Sequence, residues 1–323
     1  MLLDFDLVDV FTDRPFAGNQ LAVVHGAEGL SSDQCLALAR EFNFSETTFP
    51  SAAVTGSGEY SVRIFTPGQE IPFAGHPTLG TAAALRARNL LAGPEVVQVC
   101  GAGRIGVRFR DDLVELSASP RDLLGPLDDD LVAALLGDLG LTPADLAGPV
   151  WLAGCGLTFV HLPVADDAVA RAVPSSRPLH EYADRLAAVG RAADPVEGLN
   201  LFHLSGSGSD VSVHARVFVP GLSVPEDPAT GSAAVGLGIA LVAAGHLPDG
   251  GAYTIEQGLE MGRPSVLHGR VETTVLGGHG WNPAGTDAAE GPVAAVCHVA
   301  GRVHHVGRGQ IAVPPAQPPG QVS

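Results

Sequence analysis

Three titratable side chains stand in short motifs from which they could move a proton: Glu46 in "EFNFSETTFP", His76 in "PFAGHPTLGTAAAL" and Asp227 in "EDPATGSAAVGLGIAL". Pro77 suits a first helical turn, where its missing N–H would have no partner, and the Thr/Ala/Leu run behind it reads as a helix body. His76 is therefore expected at or near the N-cap. That end of a helix presents unpaired backbone N–H groups and the positive pole of the macrodipole, a ready site for a carboxylate or phosphate. Backbone N–H groups near Gly231 and Ser232, with the Ser232 hydroxyl, could hold a substrate carboxylate in the same way. Ser232 is not read as a nucleophile, because "TGSAA" lacks the second glycine of the G-x-S-x-G elbow. Glu46 follows a short helix expected to end near Asn43 and opens a β-branched run ending in Phe49. A carboxyl between Phe44 and Phe49 would be partly desolvated, the condition under which it serves as a general acid or base near neutral pH. Taken singly, the ordinary readings are an exposed edge-strand glutamate, an N-cap histidine and a capping aspartate.

Recurrence shifts that balance. "RIFTPGQEIPFAGHPTLGTAAAL" from Arg63 is echoed by "RVFVPGLSVPEDPATGSAAVGLGIAL" from Arg216. Arg63, Phe65, Pro67 and Gly68 match Arg216, Phe218, Pro220 and Gly221. After a two-residue gap the match pairs His76-Pro77 with Asp227-Pro228, Gly80 with Gly231 and Thr81 with Ser232. Fainter echoes lie upstream, at Ala17 and Ala153, and downstream, at Gly103-Arg104 and Gly262-Arg263. Each half therefore reads as strands, a Pro-Gly turn, a proline-started helix and more strands. Two such halves related by a pseudo-twofold axis would set both helix N-termini on either side of one cleft. The expected organisation is an N-terminal half, residues 1–119, and a C-terminal half, residues 120–292, leaving a final strand near 293–312 open to return to the first. The acidic stretch from Pro120 to Pro149 reads as a linker into an exposed helix. A Gly-rich loop insertion is expected near 277–292, and residues 313–323 as a flexible tail.

Composition excludes several chemistries. The 323 residues suffice for two domains with their own cores. All 18 basic residues are arginine, so a pyridoxal-phosphate Schiff base and a Walker P-loop lack their lysine. A formal charge of −17 opposes a nucleic-acid partner. No basic n-region opens the chain and no apolar run is long enough to span a bilayer, so a cytoplasmic protein without membrane contact is expected. The four cysteines show no CxxC spacing and read as reduced thiols. His304-His305 reads as a solvated strand end and not a metal site, no HExxH is present, and "GAGRIG" from Gly101 has the wrong spacing for a dinucleotide fingerprint.

At these same motifs the chain resembles the PhzF-like phenazine-biosynthesis isomerases, which share the diaminopimelate epimerase fold. The resemblance spans "VDVFTDRPFAGNQLAVV", "FSETTF", "EIPFAGHPTLGTA", "GLTFVHLP", "EDPATGSA" and "QGLEMGRPS". It implies an α/β (α+β) fold of two pseudo-symmetric halves, each a mixed sheet or barrel wrapped around a central helix, and a homodimer. It implies Glu46 as the central acid/base, with His76 and Asp227 beside it and Gly75, Gly231 and Ser232 holding the substrate. Ser45 and Asn19, inside the same motifs, are further substrate-binding candidates. Epimerases and racemases of this fold use one cysteine from each half at the helix ends; here those motifs carry none, which argues against two-thiol racemisation. The expected activity is a proton shift between carbons of a small cyclic or unsaturated carboxylate, with no cofactor and no metal. The prototype implied by the resemblance is trans-2,3-dihydro-3-hydroxyanthranilate. The alternatives are a C–C or C–O bond hydrolase or lyase using the same acid/base set, and a non-catalytic carboxylate-binding protein of the same fold.

Overall fold

Apolar side chains on alternate positions along most of the strand-forming runs give each strand a face to bury, and the Gly/Ala-rich segments give helices thin enough to be enclosed by sheet. In the computed structural model, residues 1–51, 56–189, 196–207, 210–220, 225–275 and 292–315 are described. The insertion around Trp281 and the end of the tail lie outside them. The chain begins β1 (Leu2–Val10), β2 (Asn19–Val24), α1 (Ser32–Phe42), β3 (Glu46–Pro50), β4 (Glu59–Phe65) and β5 (Glu70–Ile71). It continues α2 (Gly75–Ala87), β6 (Glu95–Cys100), β7 (Gly103–Arg110) and β8 (Leu113–Ala118). Then come β9 (Asp122–Leu124), α3 (Asp129–Asp138), β10 (Trp151–Gly154), β11 (Thr158–Pro163), α4 (Asp166–Arg171) and α5 (Ala183–Val189). They are followed by β12 (Val196–Ser207), β13 (Asp210–Phe218), β14 (Glu226–Asp227), α6 (Gly231–Ala243), β15 (Gly251–Gln257), β16 (Ser265–Val275), β17 (Pro292–Gly301) and β18 (Val303–Ala312).

Contacts divide the chain into two units, Met1–Leu116 with the chain from Gly301 onward, and Ser117–Ala300. In the first, the strands run β18-β1-β2-β3-β4-β6-β7-β8. The second runs β9-β10-β11-β12-β13-β15-β16-β17. Taken in order, the two series agree in sense at every step, antiparallel except at β2–β3, β4–β6, β11–β12 and β13–β15, which are parallel. The repeat is thus a repeated topology.

The internal helix of each unit is enclosed on nearly all sides. Ten residues of α2 and eleven of α6 are buried, which is why neither helix carries a charged stripe before its last turn. The outer face of the first sheet is covered by α1, whose Cys35, Leu38 and Ala39 join Leu3, Val24, Phe49 and Phe65. The outer face of the second is covered by α3 and α4, which join Val160, Leu162, Leu199 and Leu201. Among the described residues no helix is long and apolar enough to cross a membrane.

Two expectations are corrected here. The stretch from Pro120 to Pro149 is not a linker into an exposed helix: β9 pairs with β10, and α3 buries Leu131, Val132, Leu135 and Leu136. Its acidic first turn suggests a solvated helix, but Asp128 to Asp130 occupy the N-cap and first turn, where carboxylates favour a helix end; the helical spacing of the leucines decides the rest. The second correction concerns register. Helices α2 and α6 are both 13 residues long and start at Gly75 and Gly231, so His76 corresponds to Ser232 and Gly80 to Gly236. Asp227 lies ahead of its helix, on β14. Matching Pro77 to Pro228 misled the alignment, because Pro77 is inside the first turn and Pro228 is outside it. The glycines confirm the helical register. A Cβ on Gly80 would lie 2.6 Å from the Leu21 side chain and 2.9 Å from that of Val10; one on Gly236 would lie 2.8 Å from the Ala153 carbonyl oxygen and 2.9 Å from His161 Nε2. Both are points where the helix presses on its sheet.

Candidate active site

In the first unit, the chain is turned into the site by Asn43, which ends α1 in the left-handed region with φ 52° and donates its N–H to the Ala39 carbonyl. Ser45 follows, and its hydroxyl donates to Asn19 Oδ1 at 3.1 Å. This bond ties the entry of β3 to the first residue of β2, with which β3 is parallel, Leu21 opposite Glu46. Glu46 is therefore the first residue of its strand, and its side chain points at the start of α2. There Glu46 Oε2 lies 3.5 Å from His76 Nδ1, the two side chains being 16% and 5% exposed. Phe49 is not what covers Glu46. It is three positions along the strand, hence on the other face, packed with α1.

His76 is the second helical residue; the N-cap is Ala74, which offers no side chain to the first-turn N–H groups. Gly75 opens the helix and is buried. Two of the outer helices differ: Ser31 caps α1 in a reciprocal box with Gln34, and Asp128 accepts from Leu131 N–H to cap α3. α6 repeats the uncapped start, Thr230 making no side-chain cap bond. Both internal helices thus keep their positive ends available to an anion.

Burial disfavours imidazolium at His76 and pushes its pKa down to about 3, against a smaller opposing effect of the Gln20 carbonyl. The ring is neutral at physiological pH. Its Nε2 lies 3.3 Å from the Gln20 carbonyl oxygen, which can only accept, so Nε2 carries the hydrogen and Nδ1 turns a lone pair toward Glu46. Chemically, this provides an acceptor waiting for a proton on the Glu46 carboxyl.

A second buried histidine, His161 in the other unit, is held down to about 4 by burial, opposed by the Ala153 carbonyl. Both folded values lie below the ordinary 6.5 of an unfolded histidine, so between them the unfolded chain binds more protons. The stability these groups contribute is fully present above about pH 6.5 and is lost as pH falls toward 4 and 3, by about 1.4 kcal/mol per pH unit for each histidine. Urea unfolding at pH 7, 6 and 5 should show this dependence, and His161→Gln should make it shallower. Ring 15N spectra should show His76 as the Nε2–H tautomer, unchanged from pH 8 to 5; titration in that range would contradict the assignment.

In the second unit, Asp227 is joined to the N-cap of α6 by the Thr230 hydroxyl, which donates to Asp227 Oδ2 at 2.5 Å. Gly231 and Ser232 are the first two helical residues. Sequence reasoning missed Gln257, the last residue of β15, which is 2% exposed and bonds to both Asp227 and Thr230. Its only signal was its place at the head of "QGLEMGRPS", a loop distant in sequence from the helix. The structure thus gathers Asn19, Ser45, Glu46, Gly75 and His76 at one helix start, and Asp227, Gly231 and Ser232 at the other. His304 and His305 are the second and third residues of β18, and among the described residues no group of three metal-ligating side chains converges.

The model of the family described as phenazine biosynthesis-like protein, PhzC-PhzF, matches residues 8–280. An uncharacterized isomerase of Mesorhizobium japonicum is 37% identical over 84% of this chain and 91% of its own. The trans-2,3-dihydro-3-hydroxyanthranilate isomerase of Pseudomonas fluorescens is 33% identical over 83% of this chain and 90% of its own. Among solved structures, a PhzF-family phenazine biosynthesis protein of Bacillus anthracis covers 97% of this chain and 100% of its own with a TM-score of 0.75 at 22% identity, a likeness of fold.

Proposed function

Because the chain belongs to the phenazine biosynthesis-like PhzC-PhzF family and is an isomerase, we propose that it shifts a proton between two carbons of a small cyclic or unsaturated carboxylate without a cofactor. Its prototype substrate is trans-2,3-dihydro-3-hydroxyanthranilate, the compound in the name of the Pseudomonas relatives. The observation that carries this reading is the Glu46–His76 pair at the uncapped start of α2.

Glu46 as carboxylate takes the carbon-bound proton. The carboxylic acid so formed is stabilised by the lone pair of His76 Nδ1, which lies close enough to accept it once the 3.5 Å gap tightens around a substrate. His76 need not become charged, which its burial opposes. The proton then returns from Glu46 to another carbon. First-turn N–H groups at Gly75 and Gly231 stabilise the negative charge that spreads into the substrate as the C–H bond breaks, the part an oxyanion hole plays in acyl transfer. Asp227 is the second titratable group of the reaction and Ser232 a donor to the substrate carboxylate. Asn19 and Ser45 keep the entry of β3, and so Glu46, in place.

Turnover of trans-2,3-dihydro-3-hydroxyanthranilate in deuterated water tests the reading. The product should be an isomer of the substrate, of equal mass or heavier by the one deuterium that Glu46 exchanges before returning it. A product lighter or heavier by water identifies a lyase or hydrolase instead. Tight binding with no turnover of this or related unsaturated carboxylates identifies a binding protein.

A further inference from the structure

The side-chain amide of Gln257 is oriented without ambiguity. Its Oε1 accepts the Thr230 N–H at 3.3 Å, and its Nε2 donates to the Asp227 carbonyl oxygen at 2.7 Å. A backbone N–H can only donate and a carbonyl only accept, so neither bond survives a flip of the amide. The same Nε2 donates to Thr230 Oγ1 at 3.1 Å. That bond occupies a lone pair of the hydroxyl and leaves its single hydrogen for Asp227 Oδ2, at 2.5 Å. The chain of bonds therefore has one direction, from Gln257 Nε2 through the Thr230 hydroxyl to the Asp227 carboxylate.

We propose that Gln257 is a positioning residue for the isomerisation, which fixes Asp227 Oδ2 as a hydrogen-bond acceptor and holds the strand-to-helix turn that presents Gly231 and Ser232. The inference rests on the proposed role of Asp227. Gln257 also explains how α6 starts without a side-chain cap: the N–H of its N-cap residue is satisfied from β15, and the N–H groups of the first turn are left for a ligand. The loop after β15 continues the brace, since a Cβ on Gly258 would lie 2.7 Å from the Pro228 carbonyl oxygen.

Gln257→Glu is the informative substitution, because it keeps the length and the acceptor for Thr230 N–H but removes both N–H donors. The Thr230 hydroxyl is then free to turn toward the introduced carboxylate. Thr230→Val removes the hydroxyl itself. With KM within threefold, kcat should fall between roughly tenfold and a hundredfold in each, the scale of a misplaced catalytic group, beside a lower melting temperature from the buried polar groups left without partners. The double variant should lose no more than the worse single, as expected when one acts through the other. A readout without turnover is the side-chain 13C resonance of Asp227, assigned by its absence in Asp227→Asn. It should move in the same direction in both single variants. An unmoved resonance in Gln257→Glu overturns the proposal, as does an unchanged kcat. A wild-type protein that turns over no carboxylate overturns the functional reading instead, and the resonance still decides whether Gln257 positions Asp227.

Discussion

Glu46→Gln should leave a folded protein that binds its carboxylate substrate and turns it over at least roughly a hundredfold and up to ten-thousandfold more slowly, the range of general acid/base residues. The substitution is isosteric at a side chain 16% exposed, so neither a cavity nor a clash is created. The new amide can donate an N–H to the His76 Nδ1 lone pair that the protonated carboxyl would have met. The capacity to accept a carbon-bound proton is lost. Binding and catalysis should therefore separate, with KM within a few-fold of wild type and kcat carrying the loss. His76→Ala should behave differently: it removes the acceptor that stabilises the protonated carboxyl and also leaves a cavity where a buried ring stood. It should lower both kcat and the melting temperature. Near-normal turnover in Glu46→Gln beside a dead Asp227→Asn would show that Asp227 is the base.

The parts of this site that were legible in the sequence are those built by a few neighbouring residues. A left-handed Asn43 after an amphipathic helix, a β-branched strand behind Glu46 and a proline in a first turn are each specified locally, and each is where its residues indicate. That the sheets each enclose a helix was an implication of the family resemblance, and the Gly/Ala content of the two repeated segments is what makes helices that slim. The register between the repeats was not, because small residues recur along the whole of α2 and α6, so a string such as Gly-Thr/Ser-Ala-Ala fits at more than one offset. What settles it is where Gly80 and Gly236 touch their strands, which is tertiary information. The neutral state of His76 was equally out of reach, since it depends on burial and on the carbonyl of Gln20, 56 positions away. Phe49 shows the opposite error: near Glu46 in sequence, it was credited with covering it, although strand alternation puts it on the other face.

Arg216→Ala should cost about 3–5 kcal/mol of stability, the scale of breaking a buried ion pair by removing one partner, whereas Arg63→Ala should cost less than about 1 kcal/mol. The two arginines hold the same place in their units. Each faces a glutamate across a short hairpin with identical pairing, Phe65 opposite Glu70 and Phe218 opposite Glu226. Each makes a two-pronged bond, Arg63 at 2.8 and 2.6 Å and Arg216 at 2.8 and 2.9 Å, and each lies over the phenylalanine two residues on. Burial separates them: the Arg63–Glu70 side chains are 37% and 41% exposed, those of Arg216–Glu226 only 6% and 9%. In the exposed pair, water replaces whatever the partner loses. In the buried pair, Glu226 would be left charged without its partner, and the carbonyls of Val169 and Ala172, to which Arg216 Nη1 donates at the end of α4, would lose their donor as well. Urea unfolding of the two variants measures the difference, and similar losses in both would show that the fork and not its burial sets the cost. Replacing both charges of the buried pair, Arg216→Met with Glu226→Leu, should recover much of what Arg216→Ala loses, because no orphan charge remains. Since Glu226 directly precedes Asp227, that double variant also separates two roles of the hairpin: stability restored with turnover still depressed would mean that the ion pair aims Asp227 as well as anchoring the strand.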